Sequence, residues 1–147
     1  MKKAVGTLAL FCLMMLAACG NNEDTGGALE GSPPASPESA SVAFTSPEDG
    51  ASVGSPVKIE MEAEGLTLEP ASEGINENAG HLHVMIDTDC VPQGEVIPAD
   101  DAHVHYGMAQ TEAELNLEPG EHELCLQAAD GAHVALPITS TISITVE

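Results

Sequence analysis

Val57-Lys58-Ile59-Glu60-Met61-Glu62-Ala63-Glu64 sets an apolar side chain at every second position and a charged one between. A strand turns successive side chains to opposite faces, so this period of two describes a strand with one face in a core and one in water. The alternation returns at His81 to Asp87, where Leu82, Val84 and Ile86 share one face and His81, His83, Met85 and Asp87 the other. Glu112 to Leu117 and His122 to Ala128 are two more candidate strands flanking Glu118-Pro119-Gly120. Ile138, Ile142, Ile144 and Val146 lie in a Thr-rich, β-branched terminal run. Upstream, Val42-Ala43-Phe44 is closed by the turn-forming Ser46-Pro47-Glu48-Asp49-Gly50. No stretch carries a helical apolar period. Short strands punctuated by Pro/Gly turns over residues 41–147 predict an all-β domain, an immunoglobulin-like β-sandwich of about seven strands.

Ahead of this domain the composition changes twice. Residues 19–40 are Gly, Pro, Ser and acid with almost no large apolar side chain, which predicts a disordered tether. Residues 1–18 pair Lys2 and Lys3 with an apolar run that ends in small residues, the pattern of an export signal peptide, too short for a spanning helix. Leu16-Ala17-Ala18-Cys19 resembles the bacterial lipobox. That resemblance implies cleavage before Cys19, lipidation of its thiol and a firm hold on a membrane surface. Gly20 stands after Cys19 where an Asp would alter sorting, and by resemblance to Gram-negative sorting this implies an outer-membrane lipoprotein facing the periplasm.

Charge excludes whole classes of function. The 147 residues hold 3 Lys+Arg against 24 Asp+Glu, with 2% aromatic residues. Nucleic-acid binding needs clustered cations and stacking rings, so DNA and RNA are excluded as partners. Loss of the leader removes two lysines and no carboxylate, leaving Lys58 against 24 acids, a charge of −23. Such a surface repels anionic lipids and anionic substrates and favours cationic partners, or serves simply to keep an exported protein hydrated. The acids of the Asp87, Asp89, Asp100 and Asp101 region lack the regular ligand loop of a calcium site and read as solvated loops. There is no H-E-x-x-H and no Gly-rich phosphate loop, and no carboxylate pair is singled out for acid–base work. The chain reads as a binding protein rather than an enzyme.

Of the four cysteines, Cys12 leaves with the leader and Cys19 carries the lipid. Cys90 and Cys125 remain, an even pair in an oxidising compartment, and read as one disulfide. A thiolate metal site would need a C-x-x-C spacing that the chain lacks.

The six histidines all lie in the domain, and four form two H-x-H pairs, His81/His83 and His103/His105. On a strand, residues i and i+2 share a face about 6 to 7 Å apart, close enough for two imidazoles to share one ion. Met85 continues the first face and Met108 follows the second pair. Imidazole suits copper and zinc, and thioether suits cuprous ion, so the inventory points to copper first and zinc second. Leu115 to Leu124 resembles the corner before the sixth strand of bacterial immunoglobulin-like domains, where a Tyr commonly stands in the place of His122. On that topology His122, Pro119 and Gly120 are structural, while His133, in the loop between the last two strands, emerges at the same end as His81 and His83. His133 is thus a fifth candidate ligand. The competing reading is a structural or protein-interaction module, an unidentified envelope protein its partner, with the histidines in a hydrogen-bonded network and no ion.

Gly80-His81-Leu82-His83, then His103-Val104-His105-Tyr106-Gly107-Met108-Ala109-Gln110-Thr111-Glu112, then Pro119-Gly120-Glu121-His122 and Asp130-Gly131-Ala132-His133 resemble, in order, the GHxH, HxHxGxxQTE, PGxH and DxxH motifs of an uncharacterised family of exported bacterial domains. The resemblance implies that the histidines are a family feature. It carries no activity with it. Gly80 to His83 is also similar to the histidine strand of copper/zinc superoxide dismutases. Those enzymes steer an anion with positive charge, whereas this chain has no Arg and a large negative charge, so dismutase chemistry stays a minor alternative.

Overall fold

A computed structural model describes residues 40–147, all within one compact unit. The leader, Cys19 and the tether up to residue 39 lie outside the described residues. Nine strands follow one another: β1 (Ser41–Ser46), β2 (Ser52–Val53), β3 (Val57–Glu64), β4 (Thr67–Leu68), β5 (Ala79–Ile86), β6 (His103–Tyr106), β7 (Glu112–Leu115), β8 (Gly120–Ala129) and β9 (Ala135–Val146). A single 3-10 turn at Ala71–Glu73 lies between β4 and β5. Among the described residues no helix is long and apolar enough to cross a membrane.

The strands form two layers. One sheet has the order β1-β3-β7; the other has the order β2-β9-β8-β5-β4, with β6 also paired to β5. The domain is the β-sandwich that the alternation predicts. Seven strands have four residues or more, and β2 and β4 are two-residue pairings too short to leave a period in the sequence. Val57, Ile59 and Met61 of β3 face the core with Val42 and Leu115. They meet Leu82, Val84, Leu124, Leu126, Ile142 and Ile144 of the larger sheet. Removing these side chains from water is the main drive for the two sheets to pack.

On the water side of the small sheet the charges of β3 face those of β7, with Lys58 opposite Glu114 and Glu60 opposite Glu112. Lys58 Nζ bridges Glu60 at 2.6 Å and Glu112 at 3.5 Å.

The outer face of the larger sheet is also covered. The segment between β5 and β6, residues 87–102, crosses it as a strap. Met85, Cys125, Ala129, Ala135 and Ile97 form a second apolar cluster beneath it, with Cys90 and Val91 packed alongside. The expected Cys90–Cys125 disulfide ties strap to β8. Gln127, 1% exposed, fastens it further: its amide oxygen accepts from Val91 N at 2.9 Å, and its amide nitrogen donates to the Val91 and Leu136 carbonyls. A buried amide with its hydrogen bonds made stabilises where an unpaired one would cost.

Candidate metal centre

β5 is buried along both faces because core lies on one side and strap on the other. Its outer face carries His81 and His83, 0% and 2% exposed. The ladder with β6 sets His105 opposite His83 and His103 opposite Met85. The ladder with β8 sets His81 opposite Ala129, at the end of β8 where the chain turns toward His133. Gly80 sits where a Cβ would run into the Ala129 carbonyl, so this close approach of β5 and β8 requires glycine.

His133 is delivered by a tight turn. Asp130 Oδ1 accepts from Ala132 N at 2.8 Å and Val134 N at 3.0 Å, and the Asp130 carbonyl accepts from His133 N. His133 itself has φ 63°, a left-handed conformation that costs a side-chain-bearing residue on the order of 1–3 kcal/mol. Such strain persists only where the surroundings hold it, and it points to a placed side chain.

Four imidazoles therefore converge. The Nε2 atoms of His81 and His83 are 3.0 Å apart, and those of His105 and His133 are 3.2 Å apart. The ring of His81 lies 4.9 Å, centroid to centroid, from each of the other three. One ligand nitrogen each from His81, His105 and His133 lies within 4.8 Å of the other two, so these three are placed to hold one ion. They run from buried through half-buried to exposed, which leaves the site open toward solvent at His105. Gly107 completes the pocket, since a Cβ there would strike the His105 ring.

The electrostatics favour the neutral form of His81, His83 and His105. Burial, then the neighbouring His105 and His133, pushes His81 down to about 4. Burial and the surrounding histidines push His83 down to about 3. His105 is lowered by the same two causes. A neutral imidazole has a lone pair to offer a metal. Nδ1 of His81 and Nδ1 of His83 are buried without a hydrogen-bond partner, so the protein satisfies these two rings only through their mutual contact. An unsatisfied buried nitrogen is uncommon, and an ion at the rings is one ordinary reason for it.

The remaining candidates go elsewhere. His103 Nδ1 pairs with Asp100 Oδ1 at 2.7 Å and stands outside the grouped ligands. Met85 is fully buried in the apolar cluster under the strap, and Met108 is 72% exposed on the segment after β6. His122 lies at the far end of β8, bonded through Nε2 to the Glu118 carbonyl and through Nδ1 to Asp87, both at 2.8 Å. Gly50-Ala51-Ser52-Val53-Gly54 spells G-x-S-x-G. Ser52 lies in the two-residue β2 beside β9 and the next element is a strand, so the strand-to-helix elbow that gives those letters their meaning is missing.

Fold and cluster define a small all-β domain with three histidines placed to share a metal ion. The chain belongs to the DUF4399 family, described as a domain of unknown function, whose model matches residues 59–147. None of the curated proteins matches the chain. Among solved structures it is similar to the endo-beta-1,4-mannanase from Thermotoga petrophila, with a TM-score of 0.45 and 16% identity over 74% of this chain. The chain spans only 20% of that enzyme's chain.

Proposed function

We propose that this protein captures and buffers one transition-metal ion, copper first and zinc second, without catalysis. His81, His105 and His133 supply three ligands and His83 the fourth. The observation that carries the reading is the convergence of four imidazoles around His81 and His83, whose own hydrogen-bonding capacity the protein leaves unmet. Four nitrogen donors suit zinc or copper, and the general order of divalent affinities places copper above zinc. The acidic surface draws cations toward the open side of the site. We read the protein as an exported lipoprotein, held through lipidated Cys19 at the outer membrane and facing the periplasm. That part of the proposal is supported by the sequence around Cys19.

Titration calorimetry of the full-length protein with copper and with zinc, beside a His81→Ala/His83→Ala variant, tests the reading. Stoichiometric binding lost in the variant is expected; a folded parent that binds neither metal overturns it. The second reading, a hydrogen-bonded histidine network in an interaction module, is favoured by the two short Nε2 to Nε2 contacts, each within reach of an N–H···N bond. On that reading neither metal binds, and the imidazole protons give hydrogen-bonded NMR signals.

A further inference from the structure

We propose that the Cys90–Cys125 disulfide governs the metal affinity of the histidine centre by fixing the strap that holds His133. The inference rests on the metal-binding reading above. Cys125 stands on β8, whose far end runs into the His133 turn, and Cys90 stands on the strap that lies against that turn. From Cys90 the strap runs to Gly94, whose N–H donates to the Ala135 carbonyl at 3.0 Å. The Ala135 N–H donates back to the Glu95 carbonyl at 2.8 Å, and Val96 bridges Val134. The Ile97 N–H then donates to the carbonyl of His133 itself at 2.9 Å. This short ladder grips residues 133 to 135 from one side. Gly131 meets the Gly74 backbone on another, so closely that a Cβ on Gly131 would collide with it.

The left-handed backbone of His133 is therefore held jointly by the Asp130 turn and the strap. Without the disulfide, the strap keeps Gln127, the packing of Val91 and Ile97 and a few backbone bonds, and its hold on His133 in αL is loosened. The other three histidines stand on β5 and β6 and do not depend on the strap in this way. Opening by a dithiol reductant would begin at Cys90, since Cys125 is sealed at 1% exposure while Cys90 is half-buried. The S–S bond breaks, the reductant's two thiols leave as its own disulfide, and Cys90 and Cys125 each gain one hydrogen. Oxidation thus makes a four-histidine site, and reduction leaves three ligands that hold the ion more weakly.

A double-mutant cycle tests this on the full-length protein, with zinc as probe because it has no redox chemistry of its own. Cys90→Ser/Cys125→Ser is expected to weaken zinc binding by about 10- to 100-fold, the range typical of lost outer support for a ligand. In a His133→Ala background the same change should have almost no effect. Equal losses in both backgrounds, or no loss in either, overturn the inference. Amide exchange at Ile97 and Ala135 should quicken in the disulfide-free variant without metal, and unchanged exchange counts against it. Should that variant fail to fold, Gly94→Ala loosens the strap at a position with φ 86° where the new methyl meets nothing. It should weaken zinc binding in the same direction, and unaltered affinity would sink the idea. A parent that binds no zinc overturns the metal reading itself; a parent that binds while every strap variant matches it overturns this inference alone.

Discussion

His83 on β5 and His105 on β6 stand directly opposite one another in the antiparallel ladder, their rings stacked 28° from parallel with centroids 4.9 Å apart. Their separation is thus set by backbone register, and no ion is needed to bring them together. A site assembled on strands is more rigid than one assembled on loops, and only His133 reaches this one from a turn.

The first prediction separates the histidines. His81→Ala should lower metal affinity by more than about 100-fold, beyond what loss of an outer-shell partner typically costs. His103→Ala should leave it almost unchanged, because its ring stands outside the ligand group. Parallel titrations of the two variants check the difference. An equal loss in both would return His103 to the ligand set.

Gly107→Ala is the second test. The added methyl would meet the imidazole of His105, so either the ring rotates out of the cluster or β6 shifts. Because the His105 ring is exposed and can turn aside, the stability cost is small and the loss falls on the site. Metal binding should fall, whereas Gly54→Ala, whose methyl meets nothing, should leave binding alone. Thermal melts and titrations of both proteins decide.

Acid should destabilise the metal-free fold through the buried rings. An unfolded histidine takes up its proton near 6.5, whereas folded His81 and His83 resist until about 4 and about 3. Between those limits the unfolded chain binds more protons, so stability is full above 6.5 and declines as pH falls through the window. Denaturation midpoints measured with chelator from pH 7 to pH 4 should drop. Bound metal, competing with those protons, should dissociate over the same fall.

His122 should behave in the opposite sense. The Glu118 carbonyl and the Asp87 carboxylate raise its affinity for the proton. The contribution is full below pH 6.5 and is lost as pH rises through the folded-state value. His122→Gln should therefore flatten the pH dependence of stability on the alkaline side of 6.5 while metal binding stays as in the parent. A variant with the parent's alkaline slope would contradict this.

Loss of the disulfide should also cost stability in its own right. The two cysteines are 35 residues apart, and closing a loop of that size is worth about 4 kcal/mol in the chain-entropy account. Chemical denaturation of Cys90→Ser/Cys125→Ser against the oxidised parent measures it.

Much of this was legible in residue order. Val57 to Glu64 announces a strand because only one of its faces is buried, and solvent leaves its mark at every second residue. The H-x-H spacing at His81 and His83 announces two rings on one side of a strand, and the expected sandwich topology brings the loop that carries His133 to the same end. The strap was not legible. Residues 87–102 have the Asp, Pro and Gly content of a surface loop, and nothing local shows that Cys90, Val91 and Ile97 cover the outer face of β5. His103 misled for a related reason. Its period of two with His105 holds along β6, but it stands opposite Met85, outside the group of ligand nitrogens that meet.

The outer ladder of β3 and β7 bears on how copies of the chain meet. Glu60 and Glu112 oppose each other, and Lys58, the sole Lys or Arg after residue 3, is already engaged by both. A second copy laying its own β7 along this one would set Glu112 and Glu114 against their counterparts with no cation left to come between them. The β7 edge of the small sheet is fenced by carboxylates. Two such edges brought together would repel, and rising salt, by shortening the reach of that repulsion, would let them approach.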